Sequence, residues 1–505
     1  MSSSNKLRIA PAGKIAIVCC SPDNTYTTKY DNTLYRPESY VLATKPETEL
    51  NKFDENAFLT AAACGFNVFM YPGSDLKDHW IDYTQQALDL CKNLRIKLII
   101  NSPILSFLKS NNVPEYKRNW PESYVEKFVN HPALGGWQIK DEPIYSEWHD
   151  IHDPAGSNLN NIRNLPTSTI GGNIGGISQI CDCINLLKNY NVISQMDPNH
   201  IVFMNLAADN REDLIGSNTT YKDFLDEYVA KINPPLLTFD YYPIRSYLDS
   251  DGKEVYTVDT NNFYNYLNLF SDKSKSSGKP FWSYCLCLSH KTRGANYPEA
   301  TEGMLRFEAF TALAFGAQGL VFWRYKQEYT TYHFAGQNNP LSQPCVAVND
   351  EIAPVDLYGE YTDVWDNVQQ VISEIASKND YFYNCKMTSY GDYDGNYSNL
   401  NMYGDAGLDK IRISGRGFLM TRIETPDQEE TYSNGKPVIH KYIVIVSMDP
   451  FNSQELQWLY VQDPNSTVDK NICTPVFNDN GNGNYENDPW RKETLPPGGC
   501  KIFEI

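Results

Sequence analysis

Residues 134–143 read LGGWQIKDEP, an apolar run that ends in Lys140, Asp141 and Glu142 and is closed by Pro143. An uninterrupted apolar run of this length is typical of a strand that is buried on both faces. Proline has no backbone N–H to offer a neighbouring strand, so the strand ends here. The stretch therefore predicts a buried parallel strand that carries three charged side chains at its carboxyl end.

The same pattern, a helical stretch followed by a short apolar run, recurs on both sides of this strand. The seven further runs are residues 14–20 (KIAIVCC), 67–72 (NVFMYP), 97–103 (KLIINSP), 200–207 (HIVFMNLA), 236–244 (LLTFDYYPI), 280–288 (PFWSYCLCL) and 319–325 (GLVFWRY). Eight buried strands that alternate with helices are typical of a closed parallel barrel. An open doubly wound sheet is disfavoured, because no Gly-x-Gly-x-x-Gly motif follows the first run. We therefore predict an α/β fold, a (β/α)8 TIM barrel.

The chain changes character after residue 380. Residues 361–376 carry apolar side chains on one helical face and predict the helix that closes the barrel. Beyond it, strand-like runs at residues 417–423, 441–447 and 500–505 are separated by turn sequences. This pattern predicts a barrel over residues 1–380 and a C-terminal all-β sandwich domain over residues 381–505.

The charge of the chain excludes some classes of partner. Its 505 residues include 43 Lys and Arg against 62 Asp and Glu, which gives a net charge of −19. So acidic a chain lacks the basic surface that nucleic-acid and anionic-membrane binders need. It also lacks an apolar run of about 18 residues, the length of a membrane-spanning helix. We therefore expect no nucleic-acid partner and no membrane span.

The 12 cysteines are spread thinly, with no Cys-x-x-Cys and no His-Glu-x-x-His motif. Most are expected to be buried free thiols, because a free cysteine packs as a small hydrophobic side chain. No set of residues has the spacing of metal ligands, so neither a metal nor a cofactor is predicted. The first residues lack the basic and apolar segments of a signal peptide. This fits a cytoplasmic protein or an exported one whose signal has been removed.

Active sites of such barrels lie at the carboxyl ends of the strands. The candidates there are Tyr71, Asn101, Lys140, Asp141, Glu142, Asn205, Asp240, Tyr241, Tyr242, Tyr284, His290, Trp323 and Glu328. They are mostly carboxylates, amides and aromatic rings, which bind sugar hydroxyls and stack on the C–H faces of sugar rings. Hydrolysis of a glycosidic bond needs two carboxyl groups, one of them held protonated. The candidates therefore predict a carbohydrate substrate.

Glu142 is the strongest candidate for general acid and base, because it directly follows an apolar strand; a helix cap or loop salt bridge is its structural alternative. Strand alternation predicts Lys140 on the same side as Glu142 and Asp141 on the opposite side. An inward Lys140 would need a partner such as Asp240. Asp240 on strand six and Glu328 in the loop after strand eight are the candidate second carboxylates, and either could instead be structural.

Three stretches carry a family resemblance: residues 131–143 (HPALGGWQIKDEP), 196–206 (MDPNHIVFMNL) and 308–323 (EAFTALAFGAQGLVFW). They resemble glycoside hydrolases of the retaining (β/α)8-barrel superfamily, the group that includes the β-galactosidase-like barrels. The resemblance extends over about residues 14–376 and implies a glycosidase with Glu142, at the end of strand four, as the acid/base. It also implies a C-terminal β-sandwich and an exported protein, like polysaccharide-degrading glycosidases of gut bacteria.

The chain departs from that superfamily at strand seven, where the superfamily places its nucleophile glutamate. Here residues 281–290 read FWSYCLCLSH, and the next acids, Glu299 and Glu302, lie at the start of the following helix, where the helix dipole favours them. Three interpretations stay open. The partner is Asp240 or Glu328, or the reaction inverts with carboxyls about 6.5–9.5 Å apart, or the barrel binds glycans without cleaving them. A lyase acting on acidic polysaccharide is disfavoured, because the mouth has few basic residues.

Overall fold

The computed structural model describes residues 9–22, 27–30, 53–71, 80–101, 120–143, 183–210, 219–292, 295–327, 329–332, 345–348, 351–356, 358–393, 411–414, 417–460 and 491–505. Eight parallel strands form a closed barrel: β1 (Ala16–Cys20), β2 (Val68–Tyr71), β3 (Lys97–Ile100), β4 (Leu134–Asp141), β5 (Ile201–Ala207), β6 (Leu237–Asp240), β7 (Phe281–Leu286) and β8 (Gly319–Trp323). Each strand pairs with its neighbours in sequence, and β8 pairs with β1. The predicted barrel is confirmed.

A helix follows each barrel strand. They are α1 (Glu55–Cys64), α2 (Trp80–Leu94), α3 (Trp120–Phe128), α4 (Cys183–Met196), α5 (Tyr221–Ile232), α6 (Thr260–Ser277), α7 (Glu302–Ala314) and α8 (Asp363–Ser377). Side-chain oxygens of Asp54, Thr220 and Asp259 accept the backbone N–H groups that the first turns of α1, α5 and α6 leave unpaired. The apolar face predicted for α8 is buried, from Val364 to Ile375.

The core has two layers, one inside the barrel and one between the strands and the helices. The inner layer includes Val18, Met70, Phe203, Trp282 and Val321. Trp282 fits because its strand neighbour is Gly319, where a Cβ atom would lie 2.5 Å from the indole ring. These large side chains fill the barrel interior, so any reaction must take place above them, at the carboxyl ends of the strands.

Two small sheets are inserted at the carboxyl ends of barrel strands. The first joins strands Ile244–Leu248 and Glu254–Val258, which follow β6, to strands His290–Thr292 and Ala295–Tyr297, which follow β7. The second consists of Thr27–Tyr30 after β1 and of Tyr329–Tyr332 and Cys345–Val348 after β8. The first sheet matters here, because it forms a wall beside the candidate site.

After α8 and a short helix, Asn379–Phe382, the chain forms two antiparallel sheets. One has strands Lys386–Tyr393, Phe418–Thr431, Pro437–Ser447 and Cys500–Glu504, and the other has Ile411–Ser414, Gln454–Tyr460 and Arg491–Leu495. This part lies against α7, where Gly303 is so close to Pro450 that a Cβ atom would lie 2.2 Å from the Pro450 carbonyl oxygen. The all-β character of this region is confirmed, while the boundary at residue 380 stays a prediction.

Eight cysteines have side chains that the structure describes, and all are free thiols: Cys19, Cys20, Cys64, Cys91, Cys285, Cys287, Cys385 and Cys500. All but Cys500 are buried, as predicted for most of the cysteines. Among the described helices, none is both long enough and apolar enough to cross a membrane.

Candidate active site

The end of β4 departs from regular strand alternation. Gln138 is in register with Phe203 of β5 and Lys140 with the next residue, Met204, so β4 contains an extra residue at this point. Such a bulge reverses the alternation beyond it. Lys140 therefore pairs with Met204, which packs in the outer layer. Asp141 pairs with Asn205, to which it is hydrogen-bonded. The prediction that Asp141 and Lys140 lie on opposite sides of the strand is confirmed, but the prediction that Lys140, and not Asp141, shares the side of Glu142 is wrong.

The backbone of Glu142 turns sharply. Its φ angle is +44°, in the left-handed region that a non-glycine residue seldom adopts. Its N–H donates to the carbonyl oxygen of Asn205 at 2.9 Å, which fixes the turn to β5. Pro143 follows, and it further narrows the backbone conformations open to Glu142. Because of this turn, Asp141 and Glu142 do not diverge as consecutive strand residues would, and both side chains stay within reach of Asp240.

Asp240 lies at the end of β6, and its carboxyl group is hydrogen-bonded to that of Glu142. Burial raises the pKa of Asp240 well above its ordinary value, and the charges of Glu142 and Asp141 raise it further. Two carboxyl groups can share a hydrogen bond only when one of them is protonated. The pair therefore retains a proton at a pH where isolated carboxyls would have lost theirs. No hydrogen-bond donor among the described residues reaches the buried Oδ1 of Asp240.

Asp141 is the third carboxyl of the cluster. Burial and the neighbouring charge of Glu142 raise its pKa to about 6. Two amide donors act in the opposite direction: Asn205 Nδ2 lies 3.0 Å and Gln138 Nε2 3.2 Å from the same oxygen, Oδ1. Asp141 and Glu142 are exposed to solvent at the carboxyl ends of the strands, and we call the space above them the hollow.

Aromatic rings form one side of this hollow. Tyr242 stacks on Trp323 with ring centroids 5.9 Å apart, and Tyr297 meets Tyr242 edge-on at 5.8 Å. His290 stacks on Tyr297 at 4.5 Å and meets Trp323 edge-on at 5.1 Å. Burial lowers the pKa of His290, so its ring is neutral at neutral pH. The structure thus brings together three of the predicted aromatic residues and adds Tyr297.

Tyr284 lies deeper, inside the barrel, and is 3% exposed. Its hydroxyl lies beside the Gln138 amide and 4.0 Å from the Met70 sulfur. Burial raises the pKa of this hydroxyl well above its ordinary value, so it stays protonated. Tyr284 and Gln138 together form the polar floor under the carboxyl cluster.

The end of β7 carries no carboxylate, as the sequence indicates. Leu286 is the last residue of this strand, in register with Trp323, and it packs with Leu288 and Ala353. Glu302 begins α7 and pairs with Arg306, which confirms its predicted position in the first helical turn. Glu299 precedes that helix and is exposed.

The candidates that remain are Tyr71, Tyr241, Asn101 and Glu328. Tyr71 is completely buried between β2 and α1, with its ring 5.6 Å from that of Phe58, so the prediction that it contacts substrate is wrong. The Tyr241 hydroxyl is directed to α6, where it donates to Asp259 Oδ2 at 2.5 Å. Asn101 directly follows β3, and its N–H donates to the Tyr71 carbonyl oxygen at 2.9 Å. Glu328 lies outside the described residues.

Two residues of the site were missed in the sequence. Gln138 is completely buried within an otherwise apolar run, and a buried polar side chain is an informative signal. Tyr297 lies in a loop strand eleven residues beyond the end of β7, and nothing in its sequence context indicates that the loop folds back over the mouth.

No protein-family model matches the sequence, and no curated protein matches it significantly. Three solved structures illustrate its structural relatives. A β-galactosidase from the psychrophilic Marinomonas ef1 is 13% identical over 72% of this chain and 60% of that chain, with a TM-score of 0.41. An intracellular xylanase from Thermoanaerobacterium saccharolyticum is 12% identical over 72% and 98%, with a TM-score of 0.37. A β-mannanase from the blue mussel Mytilus edulis is 11% identical over 73% and 94%, with a TM-score of 0.36.

Proposed function

We propose that the protein is a glycoside hydrolase that cleaves O-glycosidic bonds of an oligosaccharide or polysaccharide at the carboxyl end of the barrel. The observation that carries the proposal is the convergence of Asp141, Glu142 and Asp240 beside an aromatic wall. Protonated and ionised carboxyls within one hollow are what acid-assisted glycoside cleavage requires. The wall offers flat rings to the C–H faces of a sugar.

In this proposal Glu142 is the general acid. It takes the proton of the Glu142–Asp240 pair to the oxygen of the leaving group, and it later removes a proton from the attacking water. Asp240 is then left as a carboxylate next to the anomeric carbon, where positive charge develops. Asp141, fixed by Asn205 and Gln138, adds a second negative charge that stabilises the cationic sugar in the transition state.

The contact between Glu142 and Asp240 bears on the mechanism. A hydrogen-bonded pair is closer than the roughly 6.5–9.5 Å that an inverting pair needs to hold a water molecule between its carboxyls. The contact is also closer than the about 5–5.5 Å between the carboxyls of a retaining pair, so the pair must open to admit the glycosidic bond. We propose a retaining reaction, in which Asp240 replaces the glutamate that β7 lacks and forms a bond to the anomeric carbon. Water then hydrolyses this glycosyl ester, and the proton returns to the pair.

The substitution Glu142→Gln tests the proposal, because glutamine keeps the size of the side chain but cannot donate a proton as an acid. Loss of an acid/base group is expected to lower kcat on a cleaved glycan by roughly 100-fold or more. Release of reducing ends is measured for the wild type, for Glu142→Gln and for Glu429→Gln, an exposed glutamate in a C-terminal sheet that serves as the control. Wild-type turnover in Glu142→Gln would contradict the assignment.

The second candidate is a barrel that binds glycans without cleaving them, and the apolar end of β7 at Leu286 favours it. The two functions differ in one measurement. A glycan that binds the wild type and releases no product over hours, under conditions where the protein stays folded, would support binding alone. Product release that disappears in Glu142→Gln would support hydrolysis.

A further inference from the structure

The inserted sheet after β6 and β7 extends the aromatic wall of the hollow outward. Its first strand, Ile244–Leu248, begins four residues beyond Asp240 and pairs antiparallel with Glu254–Val258. On its other edge it pairs with Ala295–Tyr297, the strand that carries Tyr297. The sheet therefore leads directly from the carboxyl cluster to the surface of the protein.

The register of this sheet assigns its side chains to two faces. Arg245 pairs with Thr257 and Tyr247 with Val255, so Arg245 and Tyr247 share one face. Ser246 pairs with Tyr256, and both belong to the opposite face. On that opposite face the Tyr256 ring lies 5.0 Å from the ring of Phe451, which follows the strand Pro437–Ser447 in the C-terminal part of the chain.

The face with Arg245 and Tyr247 is the one that borders the hollow. Because Asn296 pairs with Ser246, Tyr297 is the cross-strand neighbour of Arg245. The charges of Arg245, Asp240 and Glu142 all act on the pKa of Tyr297. Tyr297 also stacks on His290, which meets Trp323 edge-on. An unbroken row of side chains therefore runs from Trp323 through His290 and Tyr297 to Arg245.

Tyr247 continues this row. A strand rises about 3.4 Å per residue, so Tyr247 lies about 7 Å beyond Arg245, a distance on the scale of one pyranose ring. Its side chain is 52% exposed, so its ring is open to a ligand. A tyrosine in this position offers a flat apolar face and a polar hydroxyl to a ligand that lies along the wall.

We infer that Tyr247 forms an outer subsite that stacks on a sugar ring of a glycan chain whose scissile bond lies at the carboxyl cluster. The inference rests on the proposed carbohydrate substrate and narrows it to chains several sugars long. The occupant is a sugar because the row is continuous with the candidate site and combines flat rings with hydroxyl and guanidinium donors. A single sugar in the hollow would not reach Tyr247.

The experiment compares Tyr247→Ala with Tyr256→Ala, which removes the same side chain from the other face of the same hairpin. Both are made in the Glu142→Gln background, so that binding is measured without cleavage. The probes are soluble xylan, galactomannan, galactan and mixed-linkage glucan in affinity gel electrophoresis. Tyr247→Ala is expected to weaken binding to the retarding polysaccharide roughly 3- to 10-fold, the effect of one lost stacking contact. Tyr256→Ala is expected to bind as the parent does.

A second readout separates this inference from the proposed hydrolysis. With Glu142 intact, Tyr247→Ala should lower kcat/KM on the polysaccharide by a similar factor and leave turnover of the matching 4-nitrophenyl monosaccharide unchanged. Cleavage by all variants with equal binding would overturn the outer subsite while the hydrolase stands. Binding that depends on Tyr247 without any cleavage would support the subsite and contradict the hydrolase. Absence of retardation of the parent protein by every probe would count against the subsite.

Discussion

Glu308 is a buried carboxyl group behind the end of β7, and its replacement by glutamine gives a prediction of defined size. It is 3% exposed, and its Oε2 accepts the N–H of Leu286 at 2.7 Å. The neighbouring strand β6 ends at Asp240, before the level of Leu286 in the sheet. Burial raises the pKa of Glu308 from its ordinary value of 4.5 to about 8. The folded protein therefore holds a proton there at neutral pH, and the unfolded chain does not.

This difference makes the free energy of unfolding depend on pH. Because the folded state binds the proton more tightly, its stabilising effect is complete below about pH 4.5 and declines as pH rises towards 8. The decline is about 1.4 kcal/mol per pH unit, which amounts to about 3 kcal/mol between pH 5 and pH 7.5. Glutamine can still accept the Leu286 N–H but cannot ionise, so Glu308→Gln should lack this decline.

The assay is urea unfolding followed by tryptophan fluorescence at pH 5 and pH 7.5, for the wild type, Glu308→Gln and the exposed control Glu429→Gln. The free energy of unfolding of Glu308→Gln, relative to that of the wild type, should rise by about 3 kcal/mol as the pH is raised over this interval. The same difference for the control should stay constant. An identical pH dependence in Glu308→Gln and the wild type would refute the reasoning, since it would mean that Glu308 is ionised in the folded protein.

Two further substitutions test contacts at and behind the site. Asn205→Ala removes a donor to the Asp141 carboxylate and should raise the pKa of Asp141. The acidic limb of the kcat/KM–pH profile should then move to higher pH by up to about one unit. An unmoved limb would exclude Asp141 from the reaction. Trp137→Phe removes the 2.8 Å hydrogen bond from the indole to buried Asp197 and should cost about 1–2 kcal/mol in thermal unfolding. An unchanged Tm would show that the remaining donors, His200 and the backbone N–H of Asn199, satisfy Asp197.

The barrel could be predicted from the sequence because its signal is repeated. Each buried strand is an apolar run between helices, and eight such runs leave few other arrangements. The face of α8 was equally predictable, since the spacing of Val364, Val368 and Val371 is a direct consequence of helical geometry. The position of Glu142 at the end of β4 was predictable for a similar reason, because this residue directly follows an apolar run.

The details of the site could not be predicted, because they depend on departures from regular geometry. The bulge between Gln138 and Lys140 reverses which side chains point inward, and strand alternation applied to the sequence therefore assigned Asp141 to the wrong side. The positive φ of Glu142 has the same character, since no local composition indicates it. Tyr71 was assigned to the substrate site because the sequence does not show whether an aromatic residue at a strand end faces the barrel mouth or packs against a helix.

The contribution of the inserted sheet was also beyond the reach of local patterns. Tyr297 and Arg245 come from loops after different barrel strands, and only the pairing of their strands brings them together. Two loops can pair only if the barrel strands that carry them hold the loops at the right distance. A search for polar or aromatic residues at strand ends alone cannot identify such positions.

The central claim is that the glycosidic bond to be broken lies at the cluster of Asp141, Glu142 and Asp240. A crystal structure of the Glu142→Gln protein, soaked with a glycan that the wild type cleaves, tests it most directly. The account predicts a chain bound along the aromatic wall, with one glycosidic oxygen within hydrogen-bonding distance, about 2.6–3.2 Å, of the residue 142 amide. A glycan bound elsewhere on the barrel, with only water in contact with the three side chains, would contradict it.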